Sequence, residues 1–372
     1  MAGIYIHIPF CKQACHYCDF HFSTNVVRMD QMVECLMKEI DIRKKYLREP
    51  VETIYFGGGT PSLLTSVQLS NLIKKVREEF DVISNSEITL EANPDDLSKG
   101  KLLEFKNAGI NRLSIGVQSF DSTVLQFLNR AHNDKQASNC IELSKQEGFD
   151  NISVDLIYGI PNRSHVQWKE DLKKLIAFDP AHISAYCLTI EPKTAFGHWL
   201  KKGKLKPVED DYSAEQFEIM LDLLEKAGYE QYEISNFSKP TYYSKHNTAY
   251  WQQKPYLGIG PSAHSYNLTS RQYNVSNNQK YMVAIGHGES PSSLEKLTRE
   301  DQINDYLLTT LRTKWGSDLT VLQQMGYLLD PQYVQKLIHA GHAVLTNNHL
   351  VLTKRGRLLA DQISADLFIV DN

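Results

Sequence analysis

Ile4-Tyr5-Ile6-His7-Ile8-Pro9-Phe10-Cys11-Lys12-Gln13-Ala14-Cys15-His16-Tyr17-Cys18 decides how this chain reads. Residues 4–8 are apolar and β-branched enough to predict a strand, and a C-x3-C-x2-C triad follows that strand at once. Three closely spaced thiolates can wrap three corners of a cubane cluster, and soft sulfur donors suit iron–sulfur clusters, zinc or copper(I). A closed structural site wants a fourth ligand. Cys35, Cys140 and Cys187 are remote in sequence and read as small hydrophobes, with Cys187 at a strand end where it can line a site. His16 or His21 as fourth ligand would make this a zinc site instead. Without one, an open coordination position marks a cluster that takes up a substrate.

Outward from the triad, short β-branched runs alternate with helix-like stretches. Strands are predicted at residues 4–8, 53–56, 88–91, 112–116, 152–157 and 182–186. Between them lie apolar residues at helical spacing, such as Met32, Leu36, Ile40 and Leu69, Leu72, Ile73, Val76. Six strand-then-helix units imply a parallel α/β sheet with right-handed crossovers, too few for a closed eight-unit barrel. The expectation is an open partial (β/α)6 barrel over residues 1–190. In such folds ligands collect at the C-terminal strand ends. Cys11 onward, residues 57–60, Glu91 to Pro94, Gln118 and Asp155 all sit there.

The remainder divides less clearly. Residues 191–207 read as a loop, a helix is expected at 212–227, and 236–280, rich in Asn, Ser, Tyr and Gly, read as irregular. This gives an expected barrel extension at 191–290. A mostly helical, winged-helix-like unit is expected at 291–372.

Composition narrows the class. The 372 residues carry a net charge of −4 with no basic block, which disfavours a nucleic-acid partner. No run approaches the ~20 apolar residues of a membrane span. The start MAGIYIHIPF has no positive leader, so a cytoplasmic, reducing setting is expected, where grouped cysteines suggest metal chemistry before disulfides.

Tyr55-Phe-Gly57-Gly58-Gly59-Thr60-Pro61 follows the second strand. Its glycines let backbone approach a ligand closely, and the P-loop pattern is absent. Set beside the cysteine triad, it resembles the loop that holds the amino group of S-adenosylmethionine (SAM) in the radical SAM superfamily. That resemblance implies a 4Fe–4S cluster on Cys11, Cys15 and Cys18, whose open iron is chelated by SAM, and whose reduction cleaves SAM to a 5′-deoxyadenosyl radical.

Four segments sharpen it: Tyr5-Ile-His-Ile-Pro-Phe-Cys11, Phe-Gly-Gly-Gly-Thr-Pro-Ser62, Glu91-Ala-Asn-Pro94 and Gly-Val-Gln118-Ser-Phe120. Together they resemble the oxygen-independent coproporphyrinogen III oxidase family over nearly the whole chain. By that resemblance Tyr5, Gly58, Glu91, Gln118, Arg130 and Asp155 contact SAM, while Tyr17, Gly59 and Thr60 match positions holding a second SAM. Thr189 matches a further contact in uncertain register.

Two departures favour the family's haem-chaperone branch. The oxidases carry a fourth cysteine where this chain has Phe20, and they have a long segment ahead of the cluster. A third feature agrees: His246-Asn247-Thr-Ala-Tyr250-Trp251 matches the H-N-x-x-Y-W motif of that branch. An imidazole can ligate haem iron, and Tyr and Trp can stack on a porphyrin; His264 is a second candidate. The branch implies haem as cargo and haem-accepting respiratory proteins as partners. It allows a homodimer and peripheral membrane contact. The alternative is oxidative decarboxylation of coproporphyrinogen III to protoporphyrinogen IX.

Overall fold

β1 (Ala2–Ile8) is buried along its length except at half-buried Tyr5, as a strand covered on both faces must be. The computed structural model describes residues 1–369. From β1 the chain runs through α1 (Met29–Ile42), β2 (Val51–Gly58), α2 (Ser66–Glu79), β3 (Val82–Ala92) and α3 (Lys99–Asn107). It continues through β4 (Arg112–Gln118), α4 (Ser122–Phe127), α5 (Asp134–Gln146), β5 (Ile152–Tyr158), α6 (His165–Phe178) and β6 (His182–Cys187). All six expected strands form. They pair in parallel in the order β1-β2-β3-β4-β5-β6. Because this order never reverses, right-handed crossovers place the helices on one face. β1 and β6 do not pair with each other, so the (β/α)6 barrel stays open.

Local chemistry starts several of these helices. Thr65 and Gln68, Asn133 and Gln136, and Ser164 and Gln167 form reciprocal capping boxes on α2, α5 and α6. The predicted stripe Leu69, Leu72, Ile73 and Val76 is the buried face of α2.

Beyond β6 the structure corrects two expectations. Residues 191–207 are not all loop: Thr194 accepts a hydrogen bond from Gly197 N at 3.0 Å and starts α7 (Ala195–Lys201). After α8 (Asp210–Lys226), residues 236–280 are not irregular. They form β8 (Asn236–Ser238), preceded by β7 (Glu230–Glu233), then α9 (Lys245–Trp251), β9 (Tyr256–Ile259), β10 (His264–Tyr266), β11 (Ser270–Asn274) and the start of α10 (Asn278–Gly286). β8 joins β6 antiparallel, and β9 joins β1 in parallel. With β12 (Ser292–Lys296) the sheet reaches 12 strands. Strands of three to five residues carry too short an alternation to be read from sequence; they form because a sheet edge is already waiting.

The C-terminal unit comprises α11 (Arg299–Thr310), β13 (Ser317–Asp318), α12 (Leu319–Gln324), α13 (Pro331–His339), β14 (Ala343–Thr346), β15 (His349–Leu352), α14 (Lys354–Arg357) and α15 (Ala360–Asp366). Its helices pack around Ile303, Leu307, Leu322, Leu337 and Leu350. The β14–β15 hairpin supplies the wing, turning on Asn347 and Asn348, both at positive φ, as a two-residue type I′ turn requires.

One buried carboxylate fastens the accessory strands to the barrel. Glu39 on α1 accepts from Gly260 N at 2.7 Å, the Tyr281 hydroxyl at 2.6 Å and Asn274 Nδ2 at 2.8 Å, with Arg43 at 3.5 Å. Full satisfaction is what makes a wholly buried charge tolerable on that helix face.

Candidate functional site

The cysteine loop leaves β1 and is sewn to the glycine turn after β2. Cys11 N donates to Ser23 O at 3.0 Å, Gly59 N to Ile8 O at 2.9 Å and Thr60 N to Phe10 O at 2.7 Å. A Cβ on Gly59 would lie 2.6 Å from Phe10 O and 2.7 Å from Ile8 O, so only glycine allows this approach. All three thiols are free and half-buried. Burial pushes the Cys11 thiol up and that of Cys18 up to about 12, a protonation cost that metal binding would relieve. Arg130 Nη1 donates to Cys15 Sγ at 3.3 Å, ready to face a thiolate. Three soft donors on one loop are the donor set a 4Fe–4S cluster takes, and among the described residues they are not drawn together as a closed metal site.

Each histidine of the zinc alternative holds one ring nitrogen in another bond. His16 Nδ1 meets Phe127 O at 2.9 Å and its ring packs 4.7 Å from Trp199. His21 Nε2 meets Asn278 Oδ1 at 2.7 Å.

The SAM candidates gather around the C-terminal ends of β1 to β5. Glu91 accepts from the Tyr55 hydroxyl at 2.8 Å and from Gly58 N at 3.2 Å. Gly58 has φ +104°, and a Cβ there would fall 2.4 Å from the His7 ring. Tyr5 stacks on Tyr55 at 6.0 Å and reaches His7 Nδ1 through its hydroxyl at 3.2 Å. Asp155 accepts from Ser114 and Ser153 at 3.3 Å. Gln118 ends β4 at φ 66°, a backbone conformation that turns the chain out of the strand. Arg130 spans the rim: besides Cys15 it donates to Tyr17 Oη at 3.4 Å, Asn93 Oδ1 at 2.6 Å and Gly116 O at 2.8 Å. Thr60 Oγ1 accepts from Asn93 Nδ2 at 3.3 Å. Thr189 is exposed beyond β6.

Two carboxylates in this rim are held toward neutrality. Burial raises Glu91 to about 7, with Asp155 adding like charge; burial likewise raises Asp155 to about 6. A neutral carboxyl can both donate and accept, so either can bond a hydroxyl of a polar ligand.

A cavity of about 590 Å³ opens beside the cluster loop. Asp19, Phe20 and His21 come from the loop itself, Tyr250 and Trp251 from α9, and Tyr256, His264 and Tyr266 from β9 and β10. Arg271 and Asp305 pair across its edge, and Leu308 and Thr309 close it from α11. Phe20, where the oxidases have cysteine, is 71% exposed and faces this groove.

The H-N-x-x-Y-W segment is thus split in role. Tyr250 and Trp251 line the groove, and Arg312 lies over the Trp251 ring at 5.6 Å. Asn247 N is bound to the cap of α9, Ser244 Oγ, at 3.3 Å. His246 is only 2% exposed, with Nδ1 2.7 Å from Thr53 Oγ1 and Nε2 2.9 Å from the Tyr250 hydroxyl. Burial lowers it to about 3, so it is a neutral ring that braces Tyr250.

Sequence reasoning passed over Arg112, Asn93 and Tyr55. Arg112 is buried at the start of β4, where its charge acts on Glu91, Asp155, His182 and His246. The available signal was a lone arginine opening an otherwise apolar strand. Asn93 stood inside the quoted Glu-Ala-Asn-Pro, and its amide joins Arg130 to Thr60.

Comparison with known proteins agrees with this geometry. Residues 5–175 match the Radical SAM superfamily. The heme chaperone HemW of Bacillus subtilis is 36% identical over 371 residues, 98% of each chain. The heme chaperone HemW of Escherichia coli is 40% identical over 265 residues, 70% of this chain and 69% of that one. Among solved structures, the coproporphyrinogen III oxidase HemN of E. coli superposes with a TM-score of 0.83 at 24% identity, covering 99% of this chain and 90% of that one, a likeness of fold. With a relative of this identity matched along virtually the whole chain, and the cysteine loop and glycine turn in place, the chain belongs to the HemW family of the radical SAM superfamily.

Proposed function

We propose that this chain is a haem chaperone, holding haem in the groove beside the cluster loop and passing it to respiratory haem proteins. The observation that carries this reading is the groove itself. Its roughly 590 Å³ lies within the usual size of small-molecule sites, and its walls are aromatic rings with a few histidines. Such walls suit a flat apolar macrocycle. The HemW names of the relatives support it.

A 4Fe–4S cluster on Cys11, Cys15 and Cys18, and SAM at the rim, supply one-electron chemistry when bound. The chain's own residues do the holding. Tyr5, Gly58, Glu91, Gln118, Arg130 and Asp155 are assigned to SAM, and Tyr17, Gly59 and Thr60 to a second molecule. Arg130 orients the loop through Cys15 and Asn93. Three units follow in this reading: residues 1–190 as the barrel, 191–290 as its extension with the haem motif, and 291–372 as the C-terminal domain. Among the described residues no helix is long and apolar enough to cross a membrane. A cytoplasmic site of action, with peripheral approach to membrane-bound clients and assembly as a homodimer, completes the proposal.

The test sets the chaperone against the oxidase. Anaerobically reconstituted protein is given reductant, SAM and coproporphyrinogen III, and separately micromolar haem. Haem binding without protoporphyrinogen IX supports the chaperone. Many turnovers to protoporphyrinogen IX overturn it.

A further inference from the structure

Four histidines lie in or against the groove, and an iron ligand needs one ring nitrogen whose lone pair is free and approachable. His246 fails on both counts: it is buried, and both nitrogens have partners at 2.7 and 2.9 Å. His7 fails likewise, with Nε2 on His21 O at 2.8 Å and Nδ1 on the Tyr5 hydroxyl at 3.2 Å. His21 donates from Nε2 to Asn278 Oδ1, which leaves its Nδ1 lone pair free but ties a half-buried ring to α10. His264 differs from all three. It is exposed, lines the groove, and among the described residues its ring makes no hydrogen bond.

The backbone beneath it is firmly placed. His264 opens β10 opposite Tyr273 of β11, whose ring lies 6.0 Å away. β9 runs so close that a Cβ on Gly258 would fall 2.1 Å from His264 O, and Gly258 N donates to Ser265 Oγ at 3.0 Å. Burial and the nearby Arg271 lower its pKa below the ordinary value, which keeps the lone pair available at neutral pH.

We propose that His264, and not the motif histidine His246, is the protein ligand to haem iron in this groove. The inference rests on the haem-chaperone reading. His246 then acts as a positioning residue, holding Tyr250 through its Nε2 so that the α9 aromatics face the macrocycle.

Ferric haem is titrated into the full, cluster-reconstituted chain and followed by absorbance and electron paramagnetic resonance, for the wild type, H264A, H246Q and H21A. The expected result is a histidine-ligated spectrum in the wild type, H246Q and H21A. H264A should lose that spectrum, bind about tenfold more weakly, and recover the band when imidazole is added. That recovery is one a merely misfolded variant would not give. A wild-type spectrum in H264A overturns the assignment while leaving the chaperone reading intact, as does loss of the histidine spectrum in H246Q or H21A instead. Failure of the wild type to bind haem overturns both.

Discussion

The cluster rim and the aromatic groove adjoin along β1 and the loop that leaves it, with Tyr5 in both and residues 19–21 in the groove, yet they are built on opposite principles. The rim is assembled from the ends of consecutive strands whose order in space repeats their order in sequence. The groove is assembled from β1, the cluster loop, α9, β9, β10, β11 and α11, elements drawn from distant parts of the sequence. A rim of this kind is fixed by backbone geometry and tolerates little. A groove of separate side-chain walls yields to substitution one wall at a time.

That contrast can be broken or sharpened by experiment. The largest effect is expected at the cluster loop. Cys15→Ala removes one of three thiolates and the partner of Arg130, so the reconstituted chain should lose its iron–sulfur absorbance entirely. Retention of a full 4Fe–4S content would detach the loop from the cluster. Next, Gly58→Ala places a Cβ 2.4 Å from the His7 ring at a φ of +104°. It should cost about 2–4 kcal/mol of stability and abolish SAM binding in calorimetry; a variant with wild-type melting would show the turn to be more yielding than its geometry implies.

The groove should respond more gently. Trp251→Ala is expected to weaken haem binding about tenfold while iron content and SAM affinity stay at wild-type levels. Equal loss at all three sites would mean that rim and groove are one cooperative unit. The last effect concerns protons. Glu91 binds its proton more tightly in the fold, at about 7 against an ordinary 4.5. Its stabilising contribution is therefore complete below about pH 4.5 and lost as pH rises through about 7, by on the order of 3 kcal/mol at most. Denaturant melts of the SAM-free chain should lose stability across that window, and Glu91→Gln should flatten the profile. An unchanged slope in the variant would assign the titration elsewhere, with Asp155 the next group to test.

The same contrast explains what could be read from the sequence. The six strands were legible because a covered parallel strand is a run of apolar residues, and the strand-end groups were legible because the fold fixes where they point. Asp155 lies close enough to Glu91 to act on its charge, and Arg130 is bound to Asn93, two residues beyond Glu91. β8 to β11 were illegible because strands so short borrow their stability from a neighbour the local sequence does not mention. Arg112 was hidden for a related reason: a buried guanidinium declares itself only when the carboxylates facing it are known. The motif at 246–251 was visible as a string, but its division into a buried ring and two groove-facing ones was not. Helical spacing alone does not say which side of α9 meets β2 through Thr53.

The Glu39 fastening carries a consequence for biosynthesis. The partners of this carboxylate, Gly260, Asn274 and Tyr281, lie more than two hundred residues downstream. While the chain emerges from the ribosome, the barrel strands can associate when Arg43, at the end of the same helix, is the one partner of Glu39 already made. The nascent barrel therefore carries a carboxyl group short of three of its four partners on the face that its accessory strands will cover. Closure of that seam waits for Tyr281, and the groove waits further for Leu308 and Thr309 of α11, so a chain able to take cargo is one whose translation has passed that helix.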